Sequence, residues 1–201
     1  MYLQICVEAI GAESGMLMID ACSCPGSKSF GSAIRMGNSG RILSYDLHES
    51  TLKLIEKSAT RLGIDIITAE VRDGRLLDES LIEKADRVLC DVPCSGLGVI
   101  AKKPEIRYKS LSDFARLPEI QLSIVENCSK YVKKGGILVY STCTVLPEEN
   151  ELNVAKFLSL HSEFAPVDFT VGDIKSENGM LSLSPDKHGT DGFFVAKFIK
   201  N

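Results

Sequence analysis

Apolar residues in this chain fall into two patterns that alternate from one end to the other. Short unbroken runs are the mark of strands covered on both faces. Stretches where apolar residues recur every three or four positions are the mark of helices. Residues 2–10 have helical spacing and stop at Gly11. Residues 16–19 form a short apolar run that ends on Asp20 and opens into Cys22-Ser23-Cys24-Pro25-Gly26-Ser27-Lys28. Phe30, Ala33, Ile34 and Met36 then predict a helix closed by Gly37 and Asn38. Residues 41–45 read as a second strand ending on Asp46. Leu52, Ile55, Ala59 and Leu62 share one face of a helix over 49–62, with Gly63 as its cap.

Residues 64–69 predict a third strand leading to Val71-Arg72-Asp73-Gly74, and 87–91 a fourth ending on Asp91. Residues 96–107 lack periodicity and read as a loop. A helix is expected within 112–132, interrupted near its start by Pro118 and ended by Gly135-Gly136. A fifth strand follows over 137–140. Pro147 suits the first turn of a helix that turns Val154, Phe157 and Leu158 inward. Two β segments, around 164–169 and 193–199, close the pattern. Alternation of this kind predicts a mostly parallel sheet with helices on both faces, in one domain over residues 1–201.

At 201 residues and 44% hydrophobic content, the chain can bury one sizeable core. No apolar run approaches the ~20 residues that a membrane-spanning helix needs. The first residues lack the basic start and cleavage site of a secretory signal. Seven cysteines, an odd number without small-domain spacing, point to a reducing cytoplasm rather than a disulfide framework. A net charge of −4 gives no general attraction to nucleic acid, so any such contact must be local.

Asp20, Asp46, Asp73 and Asp91 all fall at strand ends, where open α/β sheets bind ligands. The first turn is neither G-x-G-x-x-G nor a P-loop, so a pyrophosphate cofactor is disfavoured. An acidic rim suits a cofactor with positive charge and hydroxyls, which describes S-adenosylmethionine. Asp46 stands where a carboxylate accepts from ribose hydroxyls. Helix capping is the plainer role for any one of these aspartates.

Cys6, Cys90 and Cys128 lie within apolar patterns and belong to the core. A zinc site from Cys22, Cys24, Cys90 and Cys94 lacks the usual C-x2-C spacing, and no metal is expected. Cys94 and Cys143 differ from the rest, because each follows a strand end among small polar residues. A methyltransferase needs a thiol when the accepting atom is a poor nucleophile, such as C5 of a pyrimidine. A thiolate adding to C6 makes C5 reactive.

The segments D-A-C-S-C-P-G-S-K, D-L-H-E-S, V-R-D-G, D-V-P-C-S-G-L-G-V-I-A-K-K-P-E-I-R-Y-K and Y-S-T-C-T-V-L-P-E-E-N-E, in this order, resemble the motifs of the RNA cytosine-C5 methyltransferases of the Sun/Nop family, in particular its bacterial 16S ribosomal RNA group. The closing G-T-D-G-F-F also matches. The resemblance implies a Rossmann-like methyltransferase fold with a seven-stranded sheet, and S-adenosylmethionine as cofactor. It implies Cys143 as nucleophile and Cys94 as the thiol that helps release the product. It places Cys22, Ser23, Cys24, Pro25, Gly26, Ser27, Lys28, Asp46, Asp73 and Asp91 at the cofactor. Lys28 and Asp91 also position the cytosine in this reading.

Two departures stand out. Ser27 occupies a position where the family has glycine, and a positive φ there would strain a serine. The family's N-terminal RNA-binding region has no counterpart here, so the chain reads as an isolated catalytic domain or a piece of a longer protein. Lys102, Lys103, Arg107 and Lys109, with Tyr108 among them, are the expected contacts for RNA, with an unpaired cytosine as target. Weak RNA binding by this chain alone is expected. Two other readings stay open: a methyltransferase for another RNA or for protein, and a non-catalytic RNA-binding or ribosome-assembly module that kept the fold.

Overall fold

The computed structural model describes residues 2–201, apart from the side chains of Tyr2 and Leu111. In chain order its elements are α1 (Tyr2–Ile10), β1 (Leu17–Asp20), α2 (Ser27–Arg35), β2 (Arg41–Asp46), α3 (Glu49–Leu62), β3 (Ile67–Val71) and β4 (Ala85–Asp91). Then come α4 (Leu117–Ser129), β5 (Val132–Thr142), α5 (Glu151–Leu160), β6 (Phe164–Pro166), β7 (Thr170–Val171) and β8 (Ile174–Lys175). The last are β9 (Met180–Leu183), α6 (Pro185–His188) and β10 (Phe193–Lys200).

The main sheet runs β3-β2-β1-β4-β5-β10-β6, with the first five strands parallel and β10 antiparallel to β5. The outer edge of β10 is divided: residues 198–200 pair with β6, and residues 193–196 pair with β9. The Rossmann-like, mostly parallel sheet is thus present, with β9 as an added strand and β7–β8 as a separate hairpin.

Alternate residues of each strand face opposite layers, as a pleated backbone requires. Met18, Ile42, Leu89, Val139 and Val195 pack with α1, Ala33 of α2 and Ala59 of α3. Ile19, Leu43, Val88, Cys90, Leu138, Tyr140 and Phe194 pack on the other side with α4 and α5. β1 lies between β2 and β4, so strand order reverses there. This is where an open α/β sheet has its crevice.

Several boundaries differ from the sequence pattern. Pro118 does not interrupt a helix; it lies in the first turn of α4, where its missing N–H costs nothing. The residues before it form a separate 3-10 turn, Leu111–Phe114, closed by a capping box between Ser110 and Asp113. Gly135-Gly136 does not end that helix but lies inside β5, opposite a register shift in β4. β3 starts at Ile67, because Ile64 still bonds back to Ala59 O at 2.9 Å to finish α3. Ile34 and Leu62 are exposed despite their helical spacing.

Candidate active site

β1 ends in Asp20, which is fully buried. Its Oδ2 accepts from Ser29 Oγ at 2.7 Å, and Ser29 meets Ser44 Oγ at 2.8 Å. Its Oδ1 has no partner among the described residues. Burial pushes the Asp20 carboxyl up to about 7. The chain then turns through Ala21–Gly26, held by Ser23 N bonding to Tyr45 O at 2.9 Å, with a cis peptide between Cys24 and Pro25. Gly26 has φ 95°, and a Cβ there would lie 2.7 Å from the Phe30 ring. Ser27 opens α2 and has no positive φ. The expected strain at Ser27 is therefore absent, because the left-handed position belongs to Gly26.

The other rim carboxylates have separate environments. Asp46 Oδ1 accepts from His48 N at 3.0 Å and Thr51 Oγ1 at 2.9 Å, so this aspartate orders the start of α3 as well as facing the crevice. Asp73 is gripped by Arg75, with Nε at 2.9 and 3.1 Å and Nη2 at 2.6 Å, which holds its carboxyl below the usual range. Asp91 forms an ion pair with Lys28 through Oδ2 and accepts from Ser141 Oγ through Oδ1 at 2.7 Å. Burial opposes the Lys28 charge, yet the Asp91 carboxylate outweighs it and holds the ammonium above its ordinary value. Phe193 lies under it, 5.8 Å from Nζ to the ring centre.

The two expected thiols do meet. Cys94 Sγ and Cys143 Sγ are 3.1 Å apart and unbonded, and the Cys143 N–H points at Cys94 Sγ at 3.2 Å. The Cys94 thiol beside it lowers the Cys143 thiol against the opposing effect of burial, with Lys28 also helping. Cys94 is raised correspondingly by its hydrogen bond to Cys143 and by burial. A thiol donor thus faces a sulfur on which negative charge is favoured, and low thiol pKa is what makes a cysteine nucleophilic. Cys22 is raised well above the usual thiol range by burial and Cys24 is raised, again chiefly by burial, so neither competes for that role.

Two chambers open beside this pair. The larger, about 720 Å³, runs over the ends of β1–β4 and is lined by Cys24, Asp46, Asp73, Asp91, Cys94 and Cys143, among others. The smaller, about 310 Å³, is lined by Asp20, Ser23, Pro25, Ser27, Lys28 and Phe193 and shares Cys22, Asp91 and Cys143 with the larger. Lys103 lines both, and Lys109 lines the larger. Lys102 is ion-paired with Asp191, and Arg107 is exposed beside a Tyr108 that is 91% exposed.

With this geometry in place, comparison with known proteins is decisive. Residues 8–199 match the family described as 16S rRNA methyltransferase RsmB/F. The chain belongs to the RsmB/F family. It is 43% identical over 96% of its length to a probable ribosomal RNA small subunit methyltransferase B of Bacillus subtilis, covering 45% of that protein. It is 36% identical over 98% of its length to ribosomal RNA small subunit methyltransferase B of Yersinia enterocolitica, covering 45% of that one. The chain spans somewhat less than half the length of these relatives. The crystal structure of NSun6 from Pyrococcus horikoshii with SFG superposes on all of this chain and 52% of that one, with TM-score 0.86 and 28% identity.

This structural neighbour carries SFG, and RsmB/F proteins are S-adenosylmethionine-dependent methyltransferases. The residues present fit that cofactor. A rim of carboxylates on the chamber walls, Asp46, Asp73, Asp91 and Asp20 with its orphaned Oδ1, suits cationic and hydroxyl groups.

Sequence reasoning missed several residues that shape this RsmB/F site. Gln121 gave no signal, and Ser141 and Phe193 lie inside the Y-S-T-C-T and G-T-D-G-F-F segments without being singled out, since hydroxyl, aromatic and amide residues at such positions are common. Glu149 and Asn150 offered a faint one: a carboxylate and an amide together just after the Cys143 loop, ahead of an apolar helix.

Proposed function

We propose that this chain methylates C5 of an unpaired cytosine in RNA, namely the 16S ribosomal RNA that the matching family description names, through a covalent cysteine–C6 adduct. The thiol pair, 3.1 Å apart with charge favoured on Cys143, carries this reading. When bound, S-adenosylmethionine supplies an electrophilic methyl group. In this reading Asp46, Asp73, Asp91 and the segment 22–28 hold it.

The base enters where the two chambers meet, at Asp91 and Cys143. Lys28 donates to its carbonyl oxygen, and Asp91 accepts from its exocyclic amine. The Cys143 thiolate adds to C6, forming a C–S bond, and the ring electrons move onto C5, drawn by the Lys28 ammonium. C5 is then the carbon to which the bound cofactor would give its methyl group, the donor sulfonium leaving as a neutral thioether. H5 leaves as a proton to water in the larger chamber, the C5=C6 bond reforms, and Cys143 departs as thiolate. Cys94 donates a hydrogen bond to the departing sulfur, which eases that last step.

Lys103 and Lys109 lie where RNA phosphates pass the chamber mouth, and Tyr108 offers a stacking surface. The whole chain works as one catalytic unit. The relaxed geometry of Ser27 removes one argument for the non-catalytic alternative.

Two variants test this. Cys143→Ala abolishes methyl transfer while cofactor binding, followed by calorimetry, stays within twofold; retained turnover overturns the nucleophile assignment. Cys94→Ala accumulates a protein–RNA adduct that survives denaturing gels, and a freely released product overturns the role given to Cys94.

A further inference from the structure

Each active-site thiol is flanked by residues tied to a different buried side chain, and those two side chains are neighbours in sequence. Glu149 closes the 3-10 turn Pro147–Glu149 and is 1% exposed. Its Oε2 accepts from Ser95 N at 3.0 Å and from Gln121 Nε2 at 2.7 Å. Gln121 Nε2 also donates to Pro93 O at 3.0 Å. Glu149 and Gln121 therefore grip the backbone on both sides of Cys94. Asn150 does the same for Cys143: its Oδ1 accepts from Thr142 Oγ1 at 2.6 Å, and its Nδ2 donates to Thr144 O at 3.2 Å.

The two grips meet at one hydroxyl pair, Ser95 Oγ and Thr144 Oγ1, 2.7 Å apart. Tyr140 Oη fixes the turn from below, 2.6 Å from Glu149 O and 3.1 Å from Gln121 Oε1. The second Glu149 oxygen, Oε1, is buried with no partner among the described residues. Stability alone disfavours such a group, since a buried carboxylate oxygen without a partner costs free energy. Its retention fits a role in geometry, where a thiol pair must be held to within a fraction of an ångström.

We propose that Glu149 and Asn150 are positioning residues with divided tasks: Glu149, with Gln121, sets Cys94 for release, and Asn150 sets Cys143 for attack. This rests on the two-thiol reading given above. Neither side chain touches substrate; each acts through the loop it holds.

The test uses the full chain, residue-resolved iodoacetamide alkylation and small-subunit ribosomal RNA. In the alkylation arm, Glu149→Ala speeds alkylation of Cys94 at least threefold and leaves Cys143 within twofold. Asn150→Ala does the reverse. In the RNA arm, Glu149→Ala accumulates denaturation-resistant adduct as Cys94→Ala does, and slows product release at least tenfold while adduct formation stays within threefold. Asn150→Ala slows adduct formation at least tenfold and accumulates none. Glu149→Gln, which keeps an acceptor oxygen, restores release to within threefold of the parent.

Should Glu149→Ala or Asn150→Ala fail to fold, Gln121→Leu and Thr142→Val cut the same two tethers with near-constant volume and give the same division. Identical effects of the two classes on both thiols and both steps overturn the positioning assignment. A divided alkylation pattern with no adduct in any variant, Cys94→Ala included, overturns the two-thiol chemistry and leaves the positioning in place.

Discussion

At the scale of single residues, the site mixes groups held away from their ordinary ionisation. Asp20 is the clearest case. Burial raises its carboxyl to about 7, while the unfolded chain titrates near the ordinary carboxylate value. Between those two limits the folded state binds more protons than the unfolded state, so stability falls as pH rises through the window and stays low above it. Asp20→Asn removes the titration. Its unfolding free energy relative to the parent rises from pH 5 to pH 8, by an amount on the order of a few kcal/mol, measured by denaturant titration at each pH. A constant offset across that range overturns the assignment. The same physics divides the thiols, because whichever sulfur keeps the proton lowers its neighbour. In this chain the loop geometry gives the charge to Cys143.

At the scale of elements, the strand–turn–helix unit around Gly26 bears the geometric demand. Gly26→Ala incurs about 1–2 kcal/mol for left-handed backbone in addition to the contact with Phe30, and lowers cofactor affinity at least tenfold by calorimetry. Ser27→Gly changes that affinity less than twofold, since Ser27 already sits in ordinary helical backbone. Here the limits of the sequence are instructive. Strand runs such as residues 16–19 and the alternation of elements were legible, because burial on both faces leaves an unbroken apolar signal. So were the aspartates at strand ends and the two thiols, which follow those runs directly. Which residue of Gly26-Ser27 takes the positive φ is set by the turn closing on Tyr45 O, a contact with no local trace. Gly135-Gly136 misled for a related reason: a glycine pair marks a helix end as readily as a distorted strand, and only pairing with β4 decides. The β7–β8 hairpin and β9 are too short to carry a period. The tethers from Glu149 to Ser95 and Gln121 join residues far apart in sequence, and those from Asn150 to Thr142 and Thr144 lie within one irregular turn, so spacing could not expose them.

At the scale of the whole molecule, a net charge of −4 means that the proposed RNA contact falls to one basic margin of the crevice. Lys102 and Lys103 line the smaller chamber and Lys103 and Lys109 the larger, while Lys102 is also engaged by Asp191. Replacing Lys103 and Lys109 together by alanine makes the slope of log affinity against log salt shallower by about 1.4, at about 0.7 for each single-strand phosphate that a lysine neutralises. Filter binding of an unpaired-cytosine RNA across a salt series measures it, and an unchanged slope removes these lysines from the RNA path.

The position of β10 has a consequence in time rather than in space. β5, which delivers Cys143, has β4 on one side and β10 on the other, yet β10 is made only after α5, β6, β7, β8, β9 and α6. The loop just before β10 also closes the crevice, with Gly192 N bonding to Gly98 O at 2.8 Å and Gly98 N to Cys143 O at 3.0 Å. A nascent chain emerging from the ribosome therefore carries both thiols long before it carries the strand that seats them. The thiol pair is seated only once residues 192–200 have been made and paired, however early its own loops appear.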